Sequence, residues 1–191
     1  MSNDKSAAMT TKQSRVSDAI PSIDDLTSLI EVDACFEDLR RTSQMGELAA
    51  KSGCEHLAHL YNRGSEEVRY KIVAGSGLCM PPTERRLLLE QALRQDSSAL
   101  VRHEAAFALS NFSDDECGNL LCVVGLSDSN ALVRHEAAIA LMNVGGERAI
   151  PYLAKGLLDD DVNVVLSCRL AISSIYYRAR QTVREQPDSS C

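Results

Sequence analysis

Residues 96–111 read DSSALVRHEAAFALSN, and residues 128–143 read DSNALVRHEAAIALMN. The two stretches are offset by 32 positions and agree at thirteen of sixteen; Ser98/Asn130, Phe107/Ile139 and Ser110/Met142 are the differences. A period in the low thirties marks a helical solenoid, in which each repeat covers the apolar face of its neighbour. Val101, Ala105, Ala108 and Leu109, like Val133, Ala137, Ala140 and Leu141, fall at i, i+4, i+7 and i+8, on one stripe of a helix. That stripe explains packing but assigns nothing to His103-Glu104 or His135-Glu136. Two positions past Val101, a side chain points roughly 200° around the helix, off the buried stripe. The expected fold is all-α, a helical-repeat solenoid of about four helix pairs with an N-terminal capping helix, and its function is to be sought at those four residues.

Composition agrees with this class. The chain has 191 residues, enough for one domain with a substantial core, and is 45 % hydrophobic with 4 % aromatics and no Trp. Ala and Leu therefore carry the apolar content, which suits closely packed helices and argues against a β-sandwich. A formal charge of −7 makes a phosphate backbone an unfavourable partner, so no nucleic acid is expected, and cationic or amine-bearing molecules are easier. No apolar run reaches membrane-spanning length, and no apolar segment follows the charges near the N-terminus, so no membrane is expected and the location is read as cytoplasmic. The seven cysteines form no CxxC pair. An odd number without an export signal reads as reduced thiols, several of them small core residues, with Cys191 exposed on a polar tail.

Along the chain, residues 1–22 are rich in Ser, Asp, Thr and Lys and read as a disordered leader. A short amphipathic helix follows, with Leu26, Ile30 and Phe36 on its apolar side, as a cap on the solenoid end. The repeat domain is expected over residues 23–180. Its paired-helix rhythm begins near residue 47, with helices over 48–62, 65–75, 84–95 (capped by Thr83), 114–126 and 148–158, the two His-Glu helices between them, and a last one from residue 162. Asp96-Ser97 and Asp128-Ser129-Asn130 are expected to cap the two His-Glu helices, Gly145-Gly146 to end the second, and Pro151 to sit in a first turn. Residues 181–191 read as a flexible tail. The flanking repeats lack the motif: in register, Tyr70-Lys71 and Leu166-Ser167 stand where the central repeats carry His-Glu.

Equivalent positions on stacked helices lie about 10 Å apart, so two imidazoles can meet at one ion. Adjacent His and Glu diverge by roughly 100° on a helix, yet one carboxylate can bend in to join two histidines. Such a 2-His-1-carboxylate set with open positions is the ligand type of non-haem Fe(II) sites that activate oxygen, although zinc or manganese accept the same donors. Ala105-Ala106 and Ala137-Ala138 are expected to leave room beside it. The competing reading is a solvated pair copied by duplication in a non-catalytic repeat adaptor. His56 and His59, on an outer helix without a partner in register, are expected to have no metal role.

The run over residues 66–178 resembles one half of deoxyhypusine hydroxylase, a HEAT-repeat di-iron monooxygenase family whose two pseudo-symmetric halves each carry two His-Glu motifs. The doubled VRHEAA carries the resemblance, together with Tyr70-Lys71, RAIPYL at residues 148–153, and Cys168, Leu170 and Ala171 in the closing helix. It implies His103, His135 and Glu136 as iron ligands, with Glu104 beside them as the residue that serves substrate. It implies a di-iron centre, O₂ as co-substrate, an electron donor, and an amine-bearing protein side chain or small polar molecule as substrate. This chain carries two motifs where the family has four, so a homodimer with its site at or across the two-fold axis is expected. The alternative resembles the non-catalytic repeat proteins related to bilin lyases.

Overall fold

A computed structural model describes residues 22–42 and 47–185 of the chain. The described residues form α1 (Ile23–Thr42), α2 (Glu47–Arg63), α3 (Glu66–Gly75), α4 (Pro82–Gln95), α5 (Ala99–Leu109), α6 (Asp115–Val123), α7 (Ala131–Val144), α8 (Ile150–Gly156) and α9 (Val162–Glu185), joined in places by short 3-10 turns. Residues 1–21 of the expected leader and the last six residues, Cys191 included, lie outside the described part. Four helix pairs follow α1: α2/α3, α4/α5, α6/α7 and α8/α9. The second helices α3, α5, α7 and α9 pack consecutively as one layer, the first helices back them, and α1 lies on α2 and α3. This is the helical solenoid with a terminal helix that the 32-residue period implies.

The core runs the length of the stack. Val101, Ala105 and Leu109 on α5, and Val133, Ala137, Ala140 and Leu141 on α7, are fully buried, joined by Leu89 and Leu93 of α4 and Leu121 of α6. Small residues set the spacing: a Cβ on Gly125 would stand 2.5 Å from that of Ala137, so the turn after α6 can approach α7 only as glycine. Ala105, Ala106, Ala137 and Ala138 are all solvent-inaccessible. They serve close helix packing and do not leave open room beside a site, as the sequence had suggested.

Several local expectations change. On α1 the buried stripe is Val32, Cys35, Phe36 and Leu39, spaced i, i+3, i+4 and i+7, whereas Leu26 and Ile30 are 46 % and 69 % exposed. In the first two turns of α1 only Leu29 packs against the core, while Leu26 and Ile30 face away from it. Thr83 is not a cap: α4 starts at Pro82, whose missing N–H costs nothing in a first turn. The His-Glu helices are capped by Ser98 and Asn130, whose side chains accept from Leu100 and Val101 N–H and from Leu132 N–H respectively. Finally, α9 continues to Glu185, so residues 181–185 are helical. Cys35, Cys54, Cys79, Cys117, Cys122 and Cys168 are free, and all but Cys79 are buried. Burial pushes the thiols of Cys35, Cys54, Cys122 and Cys168 up to about 11.

Candidate metal-binding site on the second-helix layer

Each second helix is started by the same local device, and that device places the functional column. Ser65, Ser98, Asn130 and Asp161 accept backbone N–H groups of the turns that begin α3, α5, α7 and α9. Counting on from each cap, the third residue is a buried valine: Val68, Val101, Val133 and Val164. The fifth and sixth are Tyr70-Lys71, His103-Glu104, His135-Glu136 and Leu166-Ser167. The cap therefore sets the rotation of the helix, and the rotation sets where these side chains stand.

A second device locks neighbouring repeats together. Arg102 Nε and Nη2 meet the two carboxylate oxygens of Asp128 at 2.7 and 2.9 Å, while Nη1 donates to Asp96 O at 2.9 Å. Arg134 repeats this on Asp159 at 2.7 and 2.9 Å and on Asp128 O at 2.8 Å. Arg69 does the same on Asp96, at 2.7 and 3.0 Å. Oδ1 of each aspartate also accepts the backbone N–H of the capping residue two positions on, at 2.8, 2.8 and 2.9 Å. Bidentate arginine–carboxylate geometry fixes direction as well as distance. The signal was present in the sequence, as an arginine after Val68, Val101 and Val133 and an aspartate two before Ser98, Asn130 and Asp161, but it becomes a ladder only once the helices stack.

On this frame the site residues form a diagonal chain. In each step, the residue of the His column reaches the residue of the Glu column one helix further on. Tyr70 on α3 faces Glu104 on α5; burial first, then the nearby Glu104 carboxylate, push the phenol up. His103 Nε2 on α5 stands 3.3 Å from Glu136 Oε2 on α7. His135 Nδ1 on α7 stands 2.7 Å from Ser167 Oγ on α9. Before the first step, Lys71 Nζ reaches Asp33 Oδ2 at 2.6 Å and Leu29 O at 3.2 Å on α1.

Of the four motif residues, the structure thus brings together His103 and Glu136. His135 and Glu104 are engaged by Ser167 and Tyr70, residues that sequence alignment placed in the right columns but read as the absence of a motif. Among the described residues, no group of three or more His, Cys, Asp or Glu side chains is gathered closely enough to hold a metal ion. The physical reason is the divergence of consecutive side chains on a helix: each imidazole leans toward the following helix and each carboxylate toward the preceding one. Glu136 also departs from expectation, being buried at 8 % exposure although it lies off the main apolar stripe. His56 and His59 are exposed on α2.

The donors nevertheless suit a divalent transition metal. Two ligand atoms each about 2.1 Å from one ion at a tetrahedral angle are about 3.4 Å apart, close to the 3.3 Å between His103 Nε2 and Glu136 Oε2. His103 Nδ1 is buried and has no hydrogen-bond partner, so on that side the ring is held by packing, and its one polar contact is Nε2 to Glu136. Leu100 and Phe107 on α5 and Leu132 on α7, three or four residues from the histidines, are roughly half exposed and give the row apolar flanks.

Among the described residues, fold and site together define an all-helical repeat solenoid with HEAT-like architecture and a row of imidazole and carboxylate side chains along its second-helix layer. A sequence profile for HEAT repeats matches residues 86–173, the second to fourth helix pairs. Among solved structures, human deoxyhypusine hydroxylase in complex with glycerol shares the fold, with a TM-score of 0.54 at 23 % identity over 86 % of this chain and 49 % of that one. The chain therefore spans about half the length of the human protein. A sequence comparison with curated proteins finds no significant match.

Proposed function

We propose that this chain is a non-haem iron hydroxylase, with His103, His135 and Glu136 as iron ligands and Glu104 as the substrate-facing carboxylate. The observation that carries this reading is the juxtaposition of His103 and Glu136 across α5 and α7, from two motifs 32 residues apart, in a fold shared with a hydroxylase. When bound at such donors, ferrous iron supplies the reductive activation of O₂, with electrons from a donor the chain does not itself contain. The chain's residues do the rest. Buried Glu136 contributes a fixed negative charge where a cation would sit. Tyr70 faces Glu104 from the neighbouring helix, and the Glu104 carboxylate orients an amine or another polar group of a small molecule or protein side chain. A di-iron centre would draw a second set of donors from another copy of the chain.

A second reading has its own observation. Tyr70–Glu104, His103–Glu136 and His135–Ser167 already pair side chains between successive helices, as a purely structural zipper in a non-catalytic adaptor would. Metal analysis separates the two. Wild-type protein loaded with Fe(II) without oxygen is expected to retain iron through gel filtration, and the His103→Ala/His135→Ala double variant to lose it. Equal iron in both would refute the metal site and leave the adaptor.

A further inference from the structure

The two histidines of the repeated motif are not equivalent, and the difference lies in what each finds on the next helix. His103 meets a carboxylate, whereas His135 meets the hydroxyl of Ser167, which is 4 % exposed and shielded from water. Ser167 Oγ lies 2.7 Å from His135 Nδ1 and 2.7 Å from the backbone carbonyl of Asn163, one turn earlier on α9. A serine hydroxyl has one proton and a carbonyl has none. Two oxygens 2.7 Å apart repel unless a proton lies between them, so the Ser167 proton points to Asn163 O. Only a lone pair of Oγ is then left for the imidazole, and Nδ1 must carry the proton. In a neutral ring the other nitrogen, Nε2, is left with its electron pair.

We propose that Ser167 is a positioning residue that fixes the tautomer of His135 and so presents Nε2 as a donor for a divalent transition metal. The inference rests on the metal site proposed above. It explains why the Glu column carries serine on α9: a hydroxyl bonded back to its own helix imposes the Nδ1–H tautomer without adding another buried negative charge. Orienting partners of this kind change metal affinity by about 10–100-fold in other sites.

The test reads the tautomer without metal and affinity separately. Long-range ¹H–¹⁵N correlation spectra of metal-free protein, at a pH where the ring is neutral, are expected to show His135 protonated on Nδ1. Ser167→Ala is expected to move the proton to Nε2 in a substantial population, and Ser167→Thr, which keeps the hydroxyl, to restore it. Zn²⁺ affinity, measured by competition with a chromogenic chelator, is expected to fall at least about tenfold in Ser167→Ala and to recover in Ser167→Thr. A wild-type His135 protonated on Nε2, or a tautomer or Zn²⁺ affinity that Ser167→Ala leaves unchanged, would overturn the proposal. A protein that shows the expected tautomer and its loss in Ser167→Ala, yet binds no Zn²⁺ even as wild type, keeps Ser167 as the tautomer-setting residue and overturns the metal site instead.

Discussion

Glu104 and Glu136 occupy the same column of the repeat, yet their surroundings differ. Glu136 is buried against His103, whereas Glu104 is more accessible and faces Tyr70. Glu136→Ala is therefore expected to abolish most iron retention, while Glu104→Ala and Tyr70→Phe keep iron and impair turnover or substrate affinity. Iron per chain, measured beside steady-state constants, checks this; iron lost from Glu104→Ala and kept in Glu136→Ala would reverse the assignment. The histidines differ in the same sense. His103→Ala leaves a buried carboxylate without its neighbour and should lower the stability of the metal-free protein. His135→Ala removes only a neutral partner of Ser167, so its metal-free protein should melt close to wild type. Its deficit should show only with metal present, as the lost linkage stabilisation. A thermal scan of each variant with and without Zn²⁺ distinguishes the two cases.

At the scale of the element, a helix of the second layer is positioned from both ends of its first turn. The cap sets where α7 begins, and the Arg102–Asp128 pair ties that start to α5. Both side chains are largely shielded, at 13 % and 7 % exposure, so the pair is not a surface ion pair of negligible worth. Asp128→Ala removes two hydrogen bonds from Arg102 and one from Asn130 N–H and leaves the guanidinium without its anion. The expected cost is about 3 kcal/mol, read as a shift in the urea midpoint with an unchanged slope. Because α7 carries half of the site, iron retention should weaken too. A cost below about 0.5 kcal/mol, the range of an ordinary surface change, would show that packing alone holds the register.

For the whole molecule, the ladder of carboxylates predicts how stability responds to acid. Burial alone would raise Asp96 and Asp128, but hydrogen bonds from Arg69 and Tyr61 to the first, and from Arg102 to the second, outweigh it and hold both below the usual carboxylate range. The Arg134 hydrogen bond lowers Asp159 in the same way. A carboxyl lowered in the folded state contributes stability that is fully present above its unfolded value, about 3.9, and is lost as pH falls through its folded value. Urea midpoints are therefore expected to hold from neutrality to about pH 4 and to drop below it, with a shallower drop in Asp128→Asn. Assembly belongs to this scale as well. A second copy, related by a two-fold axis that faces the second-helix layers, would supply the donors a di-iron centre needs. Sedimentation equilibrium of the iron-loaded protein should then give a dimer; a fully active monomer would exclude it.

What could be read from the chain alone was whatever repeats within it. The 32-residue period, the valine–alanine stripe and the turn residues specify paired helices and their stacking, because each depends on local spacing along one helix. The two His-Glu motifs were legible for the same reason, being exceptions to that stripe. Their partners were not, since a contact between helices depends on the rotation of each helix and on the offset between neighbours. Those are set by Ser98 and Asn130 as caps and by the Arg102–Asp128 and Arg134–Asp159 pairs. Only the packed structure shows that His103 goes to Glu136, that His135 goes to Ser167 and Glu104 to Tyr70, and that two copies of one motif stand in different surroundings. The sequence repeats, but the neighbours do not: α9 follows α7 with a serine where α7 follows α5 with a glutamate.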